Sequence, residues 1–109
     1  MKRIRFALIG VLLLTVLGCT SVEFAKTTQN SYRPKAATCS FDIVMTRPER
    51  KFVELGILEE LRCAGPCKKV SDVRTLVQPH VCRVGGDAVI FAANGYGWYV
   101  KGIVIKYLH

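Results

Sequence analysis

Cys39, Cys63, Cys67 and Cys82 are the side chains in this sequence with the widest choice of chemistry. Thiolates bind zinc, and Cys63-x3-Cys67 with His80 and Cys82 offers the right ligand types for a tetrahedral site. The spacing fits no zinc ribbon or finger. The same four thiols can instead oxidise: an even number in an exported domain of about 70 residues reads as two disulfides. Catalysis of disulfide exchange is not expected, because Cys63-x3-Cys67 lacks the Cys-x-x-Cys spacing of thioredoxin-like motifs. The pairing is open. A helix over 71–84 would be about 20 Å long at 1.5 Å per residue, against a disulfide's Cα limit of about 7 Å. That disfavours Cys67–Cys82, and with it Cys39–Cys63, and leaves Cys63–Cys67 with Cys39–Cys82. A simple hairpin between the first two strands would instead bring Cys39 towards Cys63. Cys82 would then be a buried free thiol, unless a kink at Pro79 carries it round.

The other reactive types do not assemble into a catalytic set. His80 and His109 are the only histidines, the first read as a helix-surface residue and the second as a terminus. Glu59 and Glu60 are adjacent in a strand, which sends their carboxylates to opposite faces and argues against an acid/base pair. Gly95, Gly97 and Gly102 belong to a hairpin, not to the strand-to-helix turn of a phosphate loop. Tyr96, Trp98 and Tyr99 cluster at that hairpin, either for packing or as a contact patch for a partner protein or glycan. The chain is not expected to be an enzyme, and no cofactor or resident metal is expected.

Cys19 has a different chemistry. Lys2, Arg3 and Arg5 precede an uncharged apolar run, Phe6 to Leu17. That run is too short to span a hydrocarbon core, which needs about 20 residues, and reads as a secretory signal. Val16-Leu17-Gly18-Cys19 resembles the bacterial lipobox. The resemblance implies cleavage before Cys19 and a diacylglyceryl group on its thiol. Thr20, where Asp would signal inner-membrane retention, points to the outer membrane facing the periplasm. The whole chain has 16 basic and 8 acidic residues and a net charge of +8. The signal holds three of the basic residues and none of the acidic ones, so the mature chain carries 13 against 8, or +5. That excess suits anionic headgroups or other polyanions. No basic run with interleaved aromatics points to nucleic acid.

These residues must be positioned by a small domain. Residues 1–18 read as the signal peptide, 19–38 as the lipidated Cys and a flexible Thr/Ser-rich linker, and 39–109 as the globular part. Cys39 to Met45 reads as a strand, and residues 46–51 as a polar turn. Phe52 to Arg62 follows as a second strand with Gly56 marking a bulge. Ser71-Asp72 reads as an N-cap pair. Val73, Leu76, Val77, Val81 and Val84 form one helical apolar stripe. Pro79 is expected to kink or split that helix, and Gly85-Gly86 to stop it. Asp87 to Ala93 and Trp98 to Tyr107 read as an antiparallel hairpin about Asn94-Gly-Tyr-Gly97. The expected fold is α+β, a small β-β-α-β-β sandwich with one helix on a mostly antiparallel four-stranded sheet.

Phe52-x-x-Leu55-Gly56-x-Leu58, then the helix, Gly85-Gly86-Asp87-Ala88-Val89-Ile90 and Tyr99-x-x-Gly102-x-x-Ile105 together resemble a known pattern. It is that of the globular domain of the Rcs envelope-stress sensor lipoprotein family, and the likeness covers about residues 41–106. Cys63 corresponds to the family's cysteine pattern; Cys67 and Cys82 do not, and the linker here is shorter. The resemblance implies a membrane-anchored, non-catalytic sensor or interaction module that contacts an envelope protein. The alternatives are a structural or accessory lipoprotein that binds an envelope polymer or membrane complex, and a metal-binding domain.

Overall fold

The computed structural model describes residues 20–108. Cys19, the proposed signal peptide and His109 lie outside the described residues. The elements are β1 (Ser21–Lys26), β2 (Asp42–Val44), β3 (Phe52–Arg62), α1 (Val70–Arg83), β4 (Ala88–Ala93) and β5 (Tyr99–Tyr107). The strands form one sheet in the order β1-β3-β5-β4-β2. Neighbours are antiparallel except β2, which runs parallel to β4. The fold is therefore α+β, one helix on a mostly antiparallel sheet, with five strands where the sequence suggested four.

The fifth strand comes from the segment expected to be a linker. In β1, Val22 and Phe24 alternate with Ser21, Glu23 and Ala25, and those two apolar side chains pack on the core. That is the period of a half-buried strand, enough to pair with β3 from Ser21↔Arg62 to Lys26↔Gly56. Residues beyond β1 are tied down as well. The Thr27 N–H donates to the Leu55 carbonyl at 3.1 Å, and the Lys35 N–H to the Cys82 carbonyl at 2.8 Å.

β2 decides between the two placements left open for the first strand. It does not form a hairpin with β3 but lies at the opposite edge, paired Asp42↔Ala88 to Val44↔Ile90. Side chains of α1 hold the preceding segment there. Arg74 Nη1 donates to the Phe41 carbonyl at 2.7 Å, and Gln78 Nε2 to the Cys39 carbonyl at 3.0 Å.

α1 buries Val73, Val77 and Val81 completely, with Leu76 and Val84 packed at the edge of the same stripe. Opposite them stand Leu55 and Leu58 of β3, Val89 and Phe91 of β4, and Val104 of β5. The helix opens at Lys69, earlier than Ser71-Asp72, and has no side-chain cap. Asp72 falls in the first turn, where its charge favours the helix dipole. Pro79 neither ends nor divides the helix. It lies on the exposed face between buried Val77 and Val81, whose burial offsets the lost backbone bond. Gly85 at φ +78 ends the helix. The Gly86 N–H donates to the Val81 carbonyl at 2.9 Å and the Gly85 N–H to the Cys82 carbonyl at 3.2 Å, the two bonds of a Schellman motif.

Gly56 marks the expected irregularity: the β3–β5 register shifts between Glu54 and Gly56. Its lack of a side chain is required. A Cβ there would collide with the Phe24 ring and stand 2.9 Å from the Ala25 carbonyl oxygen.

Candidate functional site

The four domain cysteines form two disulfides, Cys39–Cys82 and Cys63–Cys67, with Cα separations of 5.8 and 5.1 Å. Cys82 and Cys67 are buried. The hairpin that would have left Cys82 unpaired is absent, because β2 crosses to the far edge. With all four sulfurs bonded, none is a thiolate ligand, and the zinc alternative built on Cys63, Cys67, Cys82 and His80 falls. Among the described residues no cluster of three or more His, Cys, Asp or Glu side chains is placed to hold a metal.

His80 is half-buried rather than free on the helix surface. Its ring stacks on Phe24 of β1, centroids 5.9 Å apart. Burial, and secondarily the Arg83 charge, hold its imidazole below the ordinary histidine range. Glu59 and Glu60 are both exposed. Glu59 lies beside Glu23 and Lys101 in register, whereas Glu60 takes φ +53 where the β1–β3 register shifts. The two carboxylates make no acid/base pair.

The main polar cluster inside the fold is a clasp. Asp87 accepts from Lys35 Nζ at 2.7 Å and from the Tyr107 N–H at 2.9 Å, with Lys106 Nζ 3.8 Å away. Lys35 Nζ also donates to the Gly86 carbonyl at 3.0 Å. Burial raises the Asp87 pKa, but the Lys35 hydrogen bond, the Tyr107 N–H and the two lysine charges outweigh it. The net shift is below the ordinary carboxylate value. The clasp joins the segment after β1 to β4 and β5, a structural task.

The hairpin aromatics separate into two roles. Tyr96 is 80% exposed and its ring stacks on Trp98, centroids 5.0 Å apart. Tyr99 turns inward and meets Phe91 edge-on at 5.6 Å. Asn94 fixes the turn: its Oδ1 accepts from the N–H groups of Tyr96 and Trp98 at 3.0 and 3.1 Å. The Tyr99 N–H donates to the Cys67 carbonyl at 2.8 Å, which joins the hairpin to the Cys63–Cys67 loop. Lys68 Nζ stands 5.8 Å over the Trp98 ring.

One further surface escaped the sequence reading. On the sheet face away from α1, one row runs across all five strands: Ala25↔Ile57, Ile57↔Ile103, Ile103↔Ile90 and Ile90↔Val44. Every member is apolar; Ala25 is exposed, and Val44, Ile57, Ile90 and Ile103 are half-buried. Ile105 and Ala88, also outside the helix-side core, are fully buried on the adjoining row. The signal was present as consecutive isoleucines and valines in β5, which make both faces of that strand apolar. Among the described residues no helix is long and apolar enough to cross a membrane. Comparison with protein-family models, with curated proteins and with solved structures gives no match.

Proposed function

We propose that this chain is an envelope lipoprotein, anchored through acylated Cys19 to the outer membrane and facing the periplasm. It acts there as a non-catalytic sensor or interaction module, in the manner of the Rcs stress-sensor family it resembles. The observation that carries the interaction role is the continuous apolar row Ala25–Ile57–Ile103–Ile90–Val44 on the face away from α1. Val44, Ile57, Ile90 and Ile103 are half-buried and Ala25 is exposed, so the row leaves a contiguous apolar strip partly open to solvent on a stapled domain, a feature that suits a contact surface for a protein partner. Two measurements test the reading. Labelled palmitate should enter the native chain and not Cys19→Ala. A photo-crosslinking residue at Ile103 should yield one envelope-protein adduct that Ile57→Lys abolishes and that the same probe at exposed Thr75 does not give. Equal adducts from both positions, or none, would refute the contact role.

A further inference from the structure

Resting on the Cys19 anchor just proposed, we infer that one end of the domain is a membrane-apposed rim that docks on anionic lipid headgroups. Three observations converge on that end. The first is the exit point of the chain. β1 begins at Ser21, two residues after Cys19, a reach of about 7 Å. Thr20 and Ser21 line an open depression with Cys63 and Ala64, and Ser21 pairs with Arg62. The anchored end is therefore the end that carries the Cys63–Cys67 loop.

The second observation is the apolar content of that end. The hydrogen bond from Tyr99 to Cys67 joins the hairpin to the loop, so both belong to one rim. Of the five large hydrophobic side chains exposed among the described residues, three sit on it: Tyr96 at 80%, Val70 at 45% and Val100 at 41%. Trp98 stacks beside Tyr96. Tyr and Trp on an otherwise polar rim match the headgroup level of a bilayer, where one side of each ring is wet and the other apolar.

The third observation is charge. The stretches 61–71 and 93–101 contain Arg62, Lys68, Lys69 and Lys101 and no acidic residue. Glu59 stands opposite Lys101 across the sheet, and Asp72 lines the depression with Thr20 and Ser21, so the basic excess of the rim lies at Lys68 and Lys69, beside Trp98. Basic residues close to a surface of anionic lipid each strengthen binding about fivefold. An anchor at the same end brings the rim to that surface without a search.

The test uses the chain's single tryptophan, Trp98. The full chain, purified from membranes, is placed in vesicles of phosphatidylcholine with or without 30% phosphatidylglycerol (a proportion of roughly that size gives a markedly negative surface). Trp98 quenching by lipids brominated near the headgroup is measured, together with its exposure to aqueous iodide. The mass of the N-terminal peptide reports acylation separately. Expected is lipid quenching that phosphatidylglycerol enhances, high salt weakens, and Lys68→Gln with Lys69→Gln reduces. The docking equilibrium should fall about fivefold for each lysine removed. Circular dichroism confirms that these exposed substitutions leave the fold intact. Acylated protein whose Trp98 stays open to iodide on anionic vesicles overturns the rim and leaves the anchor standing. So does shielding that appears only when an envelope protein is added. Quenching in a chain whose Cys19 proves unmodified sustains the rim and refutes the anchor.

Discussion

The two disulfides close loops of very different length, and their removal should separate in proportion. Cys39 and Cys82 are 43 residues apart, and Cys63 and Cys67 only 4. If a cross-link stabilises by restricting the unfolded chain, the loop-closure entropy comes to about 4 kcal/mol for the long loop and about 2 kcal/mol for the short one. The long bridge also holds the segment before β2 on the back of the helix, where Cys82 is fully buried. The comparison is between Cys39→Ala/Cys82→Ala and Cys63→Ala/Cys67→Ala, each unfolded in urea and followed by Trp98 emission and far-ultraviolet circular dichroism. With an m-value of about 1 kcal/mol/M, the two midpoints should differ by about 2 M, the long-loop variant being the weaker. Its m-value should also rise, because its unfolded state expands further. Together the bridges contribute about 6 kcal/mol, comparable with the whole stability of a domain this small. The fully reduced chain is thus predicted to be largely unfolded. Equal losses from the two pairs, or a larger loss from Cys63–Cys67, would refute the chain-entropy reasoning and place the stabilisation in local packing.

Gly56→Ala should lower stability by about 1–3 kcal/mol, because the added methyl meets the Phe24 ring and the Ala25 carbonyl; thermal melting of Gly56→Ala and of Gly56→Ala/Phe24→Ala, where the second change clears the ring, checks it. Acid should destabilise in two steps. His80 and Asp87 both titrate below their ordinary values when folded, so each contributes stability that is complete above its unfolded pKa and lost as pH falls through the folded one. The step below neutrality should disappear in His80→Gln and the step in the acid carboxylate range in Asp87→Asn, read from urea midpoints across pH; identical pH profiles in wild type and variants would count against both assignments.

What the sequence disclosed follows the reach of local physics. The apolar stripe of α1, its Gly85-Gly86 stop and the Asn94-to-Gly97 hairpin depend on neighbours within a few residues, and each lies where its pattern put it. β2 does not. Only three of its residues pair, and its place is set by Arg74, Gln78 and Cys82, contacts more than thirty residues away in sequence. β1 was hidden for a different reason. An edge strand needs only one apolar face, and Val22 and Phe24 are two such residues in a polar, Thr-rich stretch whose composition alone reads as linker. The aromatic patch was legible as a group but not as a division of labour, since the β4–β5 register shift between Ala92 and Ala93 decides that Tyr99 faces inward. Of the apolar row on the far face only the share in β5 was legible, as its run of isoleucines and valines; the rest exists only once five strands are in register.

The long disulfide has a mechanical meaning as well as a thermodynamic one. The covalent ring runs from Cys39 to Cys82, so residues 20–38 lie outside it and are held without a covalent staple, by the β1–β3 ladder, the packing of Val22, Phe24 and Tyr32, the backbone bonds of Thr27 and Lys35, and the Lys35–Asp87 clasp. Tension applied at the start of the chain loads this segment first. If the clasp and ladder give way, the stapled remainder stays laced together while the segment pays out about 65 Å of extended chain. The part of the fold nearest the proposed anchor is therefore also its elastic reserve, and the length of that reserve is set by where the first disulfide begins.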